Sequence, residues 1–270
     1  MTPAVGEASD ERDFGALAVL RDQPAASAVL TDFDGTLAPI VADPAHAQPL
    51  PGADMVLVRL AHRFRTVAVV SGRPAAFLLD RVGVAARHAP ANLRLVGLYG
   101  LQWVEGGAVR QDPAVDPWLP AVAAAADAAD AAAPPGVGVE RKGVSLTLHW
   151  RTRPDAAGWA ADFGRRWAAE RGLHLQPGRM SLELRPPLPA DKGAVVERLG
   201  AGAAAACFLG DDAGDLPAFA ALDRLAAAGC RAVKVAVATE ESPPELAAAA
   251  DVVLADPAQA LAALAWLADS

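Results

Sequence analysis

Short, mainly apolar runs recur in the first and last parts of the chain. Ala28-Val29-Leu30, Val67-Ala68-Val69-Val70 and Leu95-Val96-Gly97-Leu98 are the early runs, and Ala206 to Leu209, Val233 to Val237 and Val252-Val253-Leu254 the late ones. Apolar positions without alternation predict strands covered on both faces, the pattern of a parallel sheet. Between them lie helical segments: an amphipathic one near Ala53 to Arg63, others from Pro74, Lys192 and Leu216, and a closing helix after Leu254. Strand and helix in turn read as α/β wiring.

The rhythm changes from about Gln111 to Leu184. An Ala-rich helix over Trp118 to Ala133 carries Asp127 and Asp130 at helical spacing, and Pro134-Pro135-Gly136 ends it. Alternating residues over Val137 to Trp150, with a Lys142-Gly143 turn, predict a half-buried hairpin. A helix over Asp155 to Arg171 follows, then a second alternating pair, Leu173-His174-Leu175 and Met180 to Leu184, around Pro177-Gly178. Helix, two strands, helix, two strands describes a small α+β insert. The expected division is an N-terminal tail and helix over 1–25, a core over 26–110 and 185–270, and an inserted domain over 111–184.

Composition narrows the function classes. The 270 residues are 53% apolar, ample for a sizeable core, and the formal net charge of -8 argues against nucleic acid or anionic membrane as partners. From Glu140 to Arg185, however, nine Arg and Lys stand against five acids, a local charge of +4 that suits either a solvated surface or one wall of a site for an anion. Cys207 and Cys230 sit in apolar or helix-end contexts and read as reduced thiols, and the polar N-terminus shows neither a signal peptide nor a membrane anchor. A cytoplasmic monomer acting on a small molecule is the expectation. Five His are scattered without zinc-ligand spacing.

The chemistry concentrates where strands end. Asp32-Phe33-Asp34-Gly35-Thr36 puts two carboxylates at the carboxyl end of the first strand, where ligands gather in open α/β sheets. Asp32 can attack phosphorus and bind a metal, while Asp34 offers a backbone carbonyl to the metal and a side chain for proton transfer. Ser71-Gly72-Arg73 repeats the device with a hydroxyl and backbone N–H groups that can hold a phosphoryl oxygen; a helix-capping Ser explains the tripeptide equally well. Lys192 opens a helix, where its charge opposes the helix dipole unless anions lie beside it. Gly210-Asp211-Asp212-Ala213-Gly214-Asp215 delivers three more carboxylates, a cluster that is costly without a shared cation. Oxygen ligands of this kind suit Mg²⁺.

These four motifs, in this order, resemble those of the haloacid-dehalogenase-like (HAD) phosphatases, and the insert lies where that superfamily carries its α+β C2-type cap. Ser71-Gly72-Arg73, Gly97-Leu98-Tyr99-Gly100, Glu140-Arg141-Lys142-Gly143, Leu148-His149-Trp150-Arg151 and Glu183-Leu184-Arg185-Pro186 are similar to the trehalose-6-phosphate phosphatases, over roughly Ala28 to Leu254. The resemblance implies an α/β fold, a Rossmann-like HAD core with a parallel sheet and an inserted cap. It implies Mg²⁺-dependent hydrolysis of trehalose 6-phosphate, the last step of trehalose biosynthesis, through an aspartyl phosphate. The implied catalytic residues are Asp32, Asp34, Ser71 and Lys192, and the metal residues Asp32, Asp34, Asp211 and Asp215. Arg73, Glu140, Lys142, Arg151, Arg179 and Glu183 are implied as substrate-binding residues. In alternating strands Glu140 and Lys142 share a face, as do Arg179, Ser181 and Glu183, so each hairpin can pair an acid with a base, either for a sugar phosphate or for a cross-strand ion pair. Gly214 and Leu216 depart from the family pattern, which has Thr and Glu there, and Arg179 stands where Lys is more usual. Another sugar phosphate, such as sucrose phosphate or a glucosylglycerate phosphate, and a non-catalytic sugar-phosphate sensor are the alternatives.

Overall fold

The strand Ala28–Thr31 is buried at every residue and pairs in parallel with a neighbour on each side. In the computed structural model, which describes residues 14–41, 43–87, 90–178, 180–238 and 242–269, the chain forms two compact units. The first runs to Arg110 and resumes at Ala190; the second is Gln111–Pro189. In chain order the strands are β1 Ala28–Thr31, β2 Thr66–Val70, β3 Leu93–Gly97, β4 Gln102–Glu105, β5 Ala108–Gln111, β6 Gly138–Arg141, β7 Leu146–His149, β8 His174–Gly178, β9 Ser181–Arg185, β10 Ala205–Gly210, β11 Arg231–Val237 and β12 Val252–Leu254. The helices are α1 Ala18–Arg21, α2 Ala53–Arg63, α3 Ala75–Arg87, α4 Leu119–Ala132, α5 Ala157–Arg171, α6 Lys192–Gly200, α7 Leu216–Ala227, α8 Pro244–Ala249 and α9 Pro257–Ala268.

The first unit is built on a sheet of order β12-β11-β10-β1-β2-β3-β4-β5, parallel from β12 to β3 and antiparallel between β3 and β4. Alternate residues of the inner strands feed two cores. Val29, Val67, Val69, Cys207 and Leu209 pack with Leu57 and Leu60 of α2 and Leu264 of α9. Leu30, Ala68, Val70 and Phe208 pack with Val195 and Val196 of α6 and Phe219 and Leu222 of α7. From β1 the chain moves to β2 and β3 on one side, and returns through β10, β11 and β12 on the other. The crevice between β1 and β10 is therefore the switch point at which open parallel sheets receive ligands.

In the second unit the sheet order is β6-β7-β9-β8, antiparallel throughout. Leu146, Leu148, Leu182 and Leu184 pack on Val122, Ala125, Ala126 and Ala129 of α4 and Phe163 and Trp167 of α5. The register sets Glu140, Thr147, Glu183 and Gln176 in one lateral row on the opposite face. Arg141 falls on the helix-covered face, where it pairs with Asp127 and Asp130 of α4. The two Asp thus have a defined partner.

Three local features differ from the sequence reading. Pro177-Gly178 belongs to β8 rather than to the turn after it, with Pro177 opposite Leu182. On an edge strand the missing proline N–H costs no ladder bond, and the reversal comes later, at Met180 with φ +49°. Leu98 ends no strand. It and Tyr99 take left-handed conformations, φ +49° and +58°, that turn the chain toward β4. The β4–β5 hairpin, turned by Gly106-Gly107 with φ +58° and +76°, left no apolar signal because β5 is almost wholly exposed. No helix among the described residues is long and apolar enough to cross a membrane.

Phe208 is fully buried in the second core whereas Val253, in the edge strand β12, is 53% exposed. Phe208→Ala is expected to lower unfolding stability by about 3–5 kcal/mol, and Val253→Ala to stay within about 0.5 kcal/mol of the parent. Urea unfolding followed by circular dichroism checks both.

Candidate active site

Parallel strands of matched register carry their last residues to one edge. Thr31 lies opposite Leu209 and Val69, so Asp32, Ser71 and Asp211, each just past a strand end, emerge side by side. The Asp32 N–H donates to the Leu209 carbonyl at 2.8 Å and the Ser71 N–H to the Val96 carbonyl at 3.0 Å, which pins both residues to the sheet.

Lys192 reaches this edge from the first turn of α6. Asp191 caps the helix by accepting from the Ala194 N–H at 2.7 Å, and Gly193 allows α6 to meet α7: a Cβ there would lie 2.4 Å from the Pro217 carbonyl oxygen. The Lys192 ammonium bonds Asp32 Oδ2 at 2.8 Å and Asp215 Oδ1 at 2.6 Å. Burial works against that charge, but Asp215, Asp32 and Asp212 outweigh it and raise the Lys192 pKa well above its ordinary value. The unfavourable place of a cation at a helix start is offset by these two carboxylates.

Asp215 Oδ2 accepts from the N–H groups of Asp211 at 2.9 Å and Asp212 at 3.1 Å, so both its oxygens are engaged. Asp32 differs: Oδ1 is buried with no hydrogen-bond partner among the described residues. Asp32, Asp211 and Asp215 each bring one oxygen within 4.8 Å of the others. Gly35, at φ +72°, makes room for this, since a Cβ on it would lie 2.0 Å from Asp211 Oδ2.

Three carboxylates against one ammonium leave a formal charge of −2. Burial, the negative neighbours adding to it, pushes the Asp32 carboxyl well above the usual carboxylate range and Asp211 up to about 9, and burial also raises Asp215. Buried like charges of this kind call for a cation. The charge deficit, the hard oxygen donors and the orphaned Asp32 Oδ1 all fit a divalent ion such as Mg²⁺, with Asp32 and Asp211 offering oxygens to it and Asp215 behind them.

Asp34 stands apart from this trio. Its carboxylate accepts a two-pronged contact from Arg73, Nε to Oδ2 and Nη2 to Oδ1, both at 2.8 Å. Arg73 is thus turned to Asp34, where sequence reasoning had assigned it to substrate. Ser71 is 2% exposed and its Oγ accepts from the Arg73 N–H at 3.2 Å, a turn contact ahead of α3, which begins at Ala75, rather than a helix cap. Thr36 Oγ1, buried without a partner among the described residues, had no role assigned; its only signal was its place in the first motif. Tyr99 was likewise passed over. Its hydroxyl lies where a Cβ on Gly72 would come within 2.6 Å, so the left-handed Leu98-Tyr99 corner packs on the Ser71-Gly72 turn. The unusual Gly214 donates its N–H to Asp212 Oδ1 at 2.8 Å, and a Cβ there would lie 3.0 Å from that oxygen, so a larger residue would press on the Asp212 cap. Leu216, partly buried, packs against the core that holds Leu30, Phe208 and Phe219.

In the second unit, Glu183 is 6% exposed, accepts from Ser145 Oγ at 2.6 Å and lies 3.6 Å from Lys142 Nζ. Glu140 Oε2 is 2.9 Å from His149 Nε2. Glu140 thus meets His149 of β7, and Lys142 of the first hairpin meets Glu183 of the second. Lys142 lies past the end of β6, in the turn, and Arg151 is exposed after β7. Arg179 lies outside the described residues. Thr147, between Glu140 and Glu183 in the lateral row, has a buried Oγ1 with no partner among the described residues; a hydroxyl in an alternating strand gave the sequence no reason to single it out.

The raised Asp211 pKa has a testable sign. The folded state keeps a proton that the unfolded chain has released, so this contribution to stability is full near pH 4 and is lost as pH rises toward about 9. In the presence of a chelator, the urea midpoint is expected to fall between pH 5 and 9, and to fall less in Asp211→Asn. Parallel pH dependences in the two proteins would count against this assignment.

A family model described as trehalose-phosphatase matches residues 30–256. The trehalose-phosphate phosphatase of Mycolicibacterium paratuberculosis is 38% identical over 206 residues, which cover 72% of this chain and 51% of that protein. The chain spans about half the length of the curated relatives it matches. The C-terminal domain of C. albicans trehalose-6-phosphate phosphatase has the same fold, with a TM-score of 0.72 and 26% identity over 99% of this chain and 98% of that one. The C-terminal domain of the Candida albicans trehalose synthase regulatory protein, 13% identical over 93% of this chain and 97% of its own with a TM-score of 0.66, shares the fold alone. Since the family match begins at the strand that carries Asp32 and runs past the last strand of the sheet, it takes in both units, and the chain belongs to the trehalose-phosphatase family.

Proposed function

We propose that this chain is a Mg²⁺-dependent phosphatase that hydrolyses trehalose 6-phosphate to trehalose and phosphate. The observation that carries the reading is the state of Asp32: one oxygen is held by Lys192, and the other is buried at the switch-point edge of the sheet with no partner among the described residues. A carboxylate held by an ammonium on one oxygen and open to a divalent cation on the other stays ionised, as a nucleophile must. The regulatory protein's domain shares the fold, so the fold does not separate enzyme from sensor; retention of both Asp32 and Asp34 favours the enzyme.

In this reading Asp32 attacks phosphorus, the bond from phosphorus to the sugar oxygen breaks, and Asp34 gives its proton to that oxygen as trehalose leaves. Asp34 then takes a proton from water, whose oxygen attacks the aspartyl phosphate and releases phosphate, restoring Asp32 and Asp34. Lys192 and Ser71 hold phosphoryl oxygens, where positioning and charge do most of the work. Mg²⁺ held by Asp32, Asp211 and the Asp34 carbonyl, with Asp215 in support, would neutralise phosphoryl charge and orient the phosphate. The sugar-reading role falls to Glu140, Lys142, Arg151, Arg179 and Glu183, since acids accept from sugar hydroxyls and bases bind phosphate.

Phosphate release from trehalose 6-phosphate, sucrose phosphate, glucosylglycerate phosphate and monosaccharide phosphates, each with Mg²⁺ and with a chelator, tests the proposal. Trehalose 6-phosphate is expected to lead the panel and the chelator to abolish turnover; full activity after exhaustive metal removal would overturn the metal dependence. Asp32→Asn is expected to fold and be inactive, and phosphoryl label trapped on any other residue would sink its role as nucleophile. Glu183→Gln is expected to depress kcat/KM for trehalose 6-phosphate about ten- to a hundredfold, the cost of a charged hydrogen bond, with a smaller effect on an aryl phosphate.

A further inference from the structure

We propose that Arg73 is a positioning residue that acts through Asp34, holding the proton-transfer carboxylate in its fork and releasing one oxygen for the reaction, rather than a contact to the substrate. The inference rests on the phosphatase reading. Its basis is the two-pronged pair: Nε and Nη2 of Arg73 donate to Oδ2 and Oδ1 of Asp34 at 2.8 Å each, with the Arg73 side chain only 11% exposed. A guanidinium offers donors alone, so this contact engages both Asp34 oxygens as acceptors. An acid must carry its hydrogen on one oxygen. To donate to the leaving sugar, Asp34 therefore frees one oxygen from the fork, and the remaining prong keeps the carboxyl aimed.

Arg73 is anchored for such a task. Its guanidinium lies 4.7 Å from the centre of the Phe77 ring, and Phe77 meets Phe33 edge-on, centroids 5.8 Å apart at 87°. Phe33 separates Asp32 from Asp34 in the chain, so one packed series ties the fork to the nucleophile's own strand end. The Arg73 backbone is held as well, its N–H on Ser71 Oγ at 3.2 Å and its carbonyl accepting from the Leu98 N–H at 2.9 Å. A Lys at 73 would keep the charge without the fork.

Steady-state kinetics of wild type, Arg73→Met, Arg73→Lys, Asp34→Asn and the Arg73→Met/Asp34→Asn double variant, on trehalose 6-phosphate and p-nitrophenyl phosphate with Mg²⁺, test the proposal. The sugar phosphate has a poor leaving group and the aryl phosphate a good one, so only the first depends strongly on the acid. Arg73→Met is expected to lower kcat on trehalose 6-phosphate at least about tenfold, a part of the roughly 10²–10⁴-fold that an acid supplies, with a smaller loss on the aryl substrate and little change in KM. In the Asp34→Asn background the same substitution is expected to cost less than about twofold, because residues that act as a unit are not additive. Arg73→Lys is expected to follow Arg73→Met, and it carries the test if the Met variant fails to fold. A KM rise equal on both substrates, with full additivity in the double variant, would overturn the proposal and return Arg73 to the phosphate. A wild-type protein inactive on both substrates would overturn the phosphatase reading, and this inference with it.

Discussion

One ammonium group organises the catalytic edge of the sheet. Lys192 is shared by Asp32 and Asp215, all three buried, and its ammonium offsets the repulsion between the two carboxylates. The same contact links three distant stretches of chain: the end of β1, the start of α6 and the turn after β10. It also sets the site's imbalance. With Asp211 added, the cluster keeps two negative charges more than it can neutralise, and a divalent cation is the simplest group that removes them.

Close approach makes this possible. Residues without side chains stand where the elements crowd: Gly35 beneath Asp211 and Gly193 where α6 meets α7. The two carboxylates of the first motif end in different surroundings although one residue separates them. Asp32 points into the buried charge cluster, and Asp34 into the fork of Arg73. Two like groups in unlike environments can hold unlike roles, nucleophile and proton carrier, and their different partners are what distinguish them.

The second unit follows a simpler rule. Strict alternation along β7 and β9 gives its sheet an apolar face for α4 and α5, and a polar face on which Glu140, Thr147, Glu183 and Gln176 align across the strands. Lys142 and Ser145 converge on Glu183, so its carboxylate is held in one orientation rather than left to rotate. Such fixed groups suit recognition of hydroxyls, because less side-chain entropy remains to be lost on binding.

The inner strands, the helices that cover them and the motif residues at the strand ends were legible in the sequence, because each depends on patterns a few residues long. Unbroken apolar runs mark β1, β2 and β10; alternation marks β7 and β9; Asp32, Ser71 and Asp211 each stand where an apolar run stops, and Lys192 where a helix begins. The β4–β5 hairpin left no trace because β4 is only half-buried, with Val104 on the core, and β5 is almost wholly exposed, and Pro177 misled because the sequence does not say which strand lies at an edge. Partnership was invisible for the same kind of reason. That Arg73 turns to Asp34, that Lys142 meets Glu183, and that Asp32 Oδ1 finds no partner among the described residues are outcomes of which segments lie side by side. Local composition determined which groups the chain presents; only the tertiary structure decided which of them touch, because hydrogen bonds and charge pairs act over a few ångströms between residues tens or hundreds of positions apart.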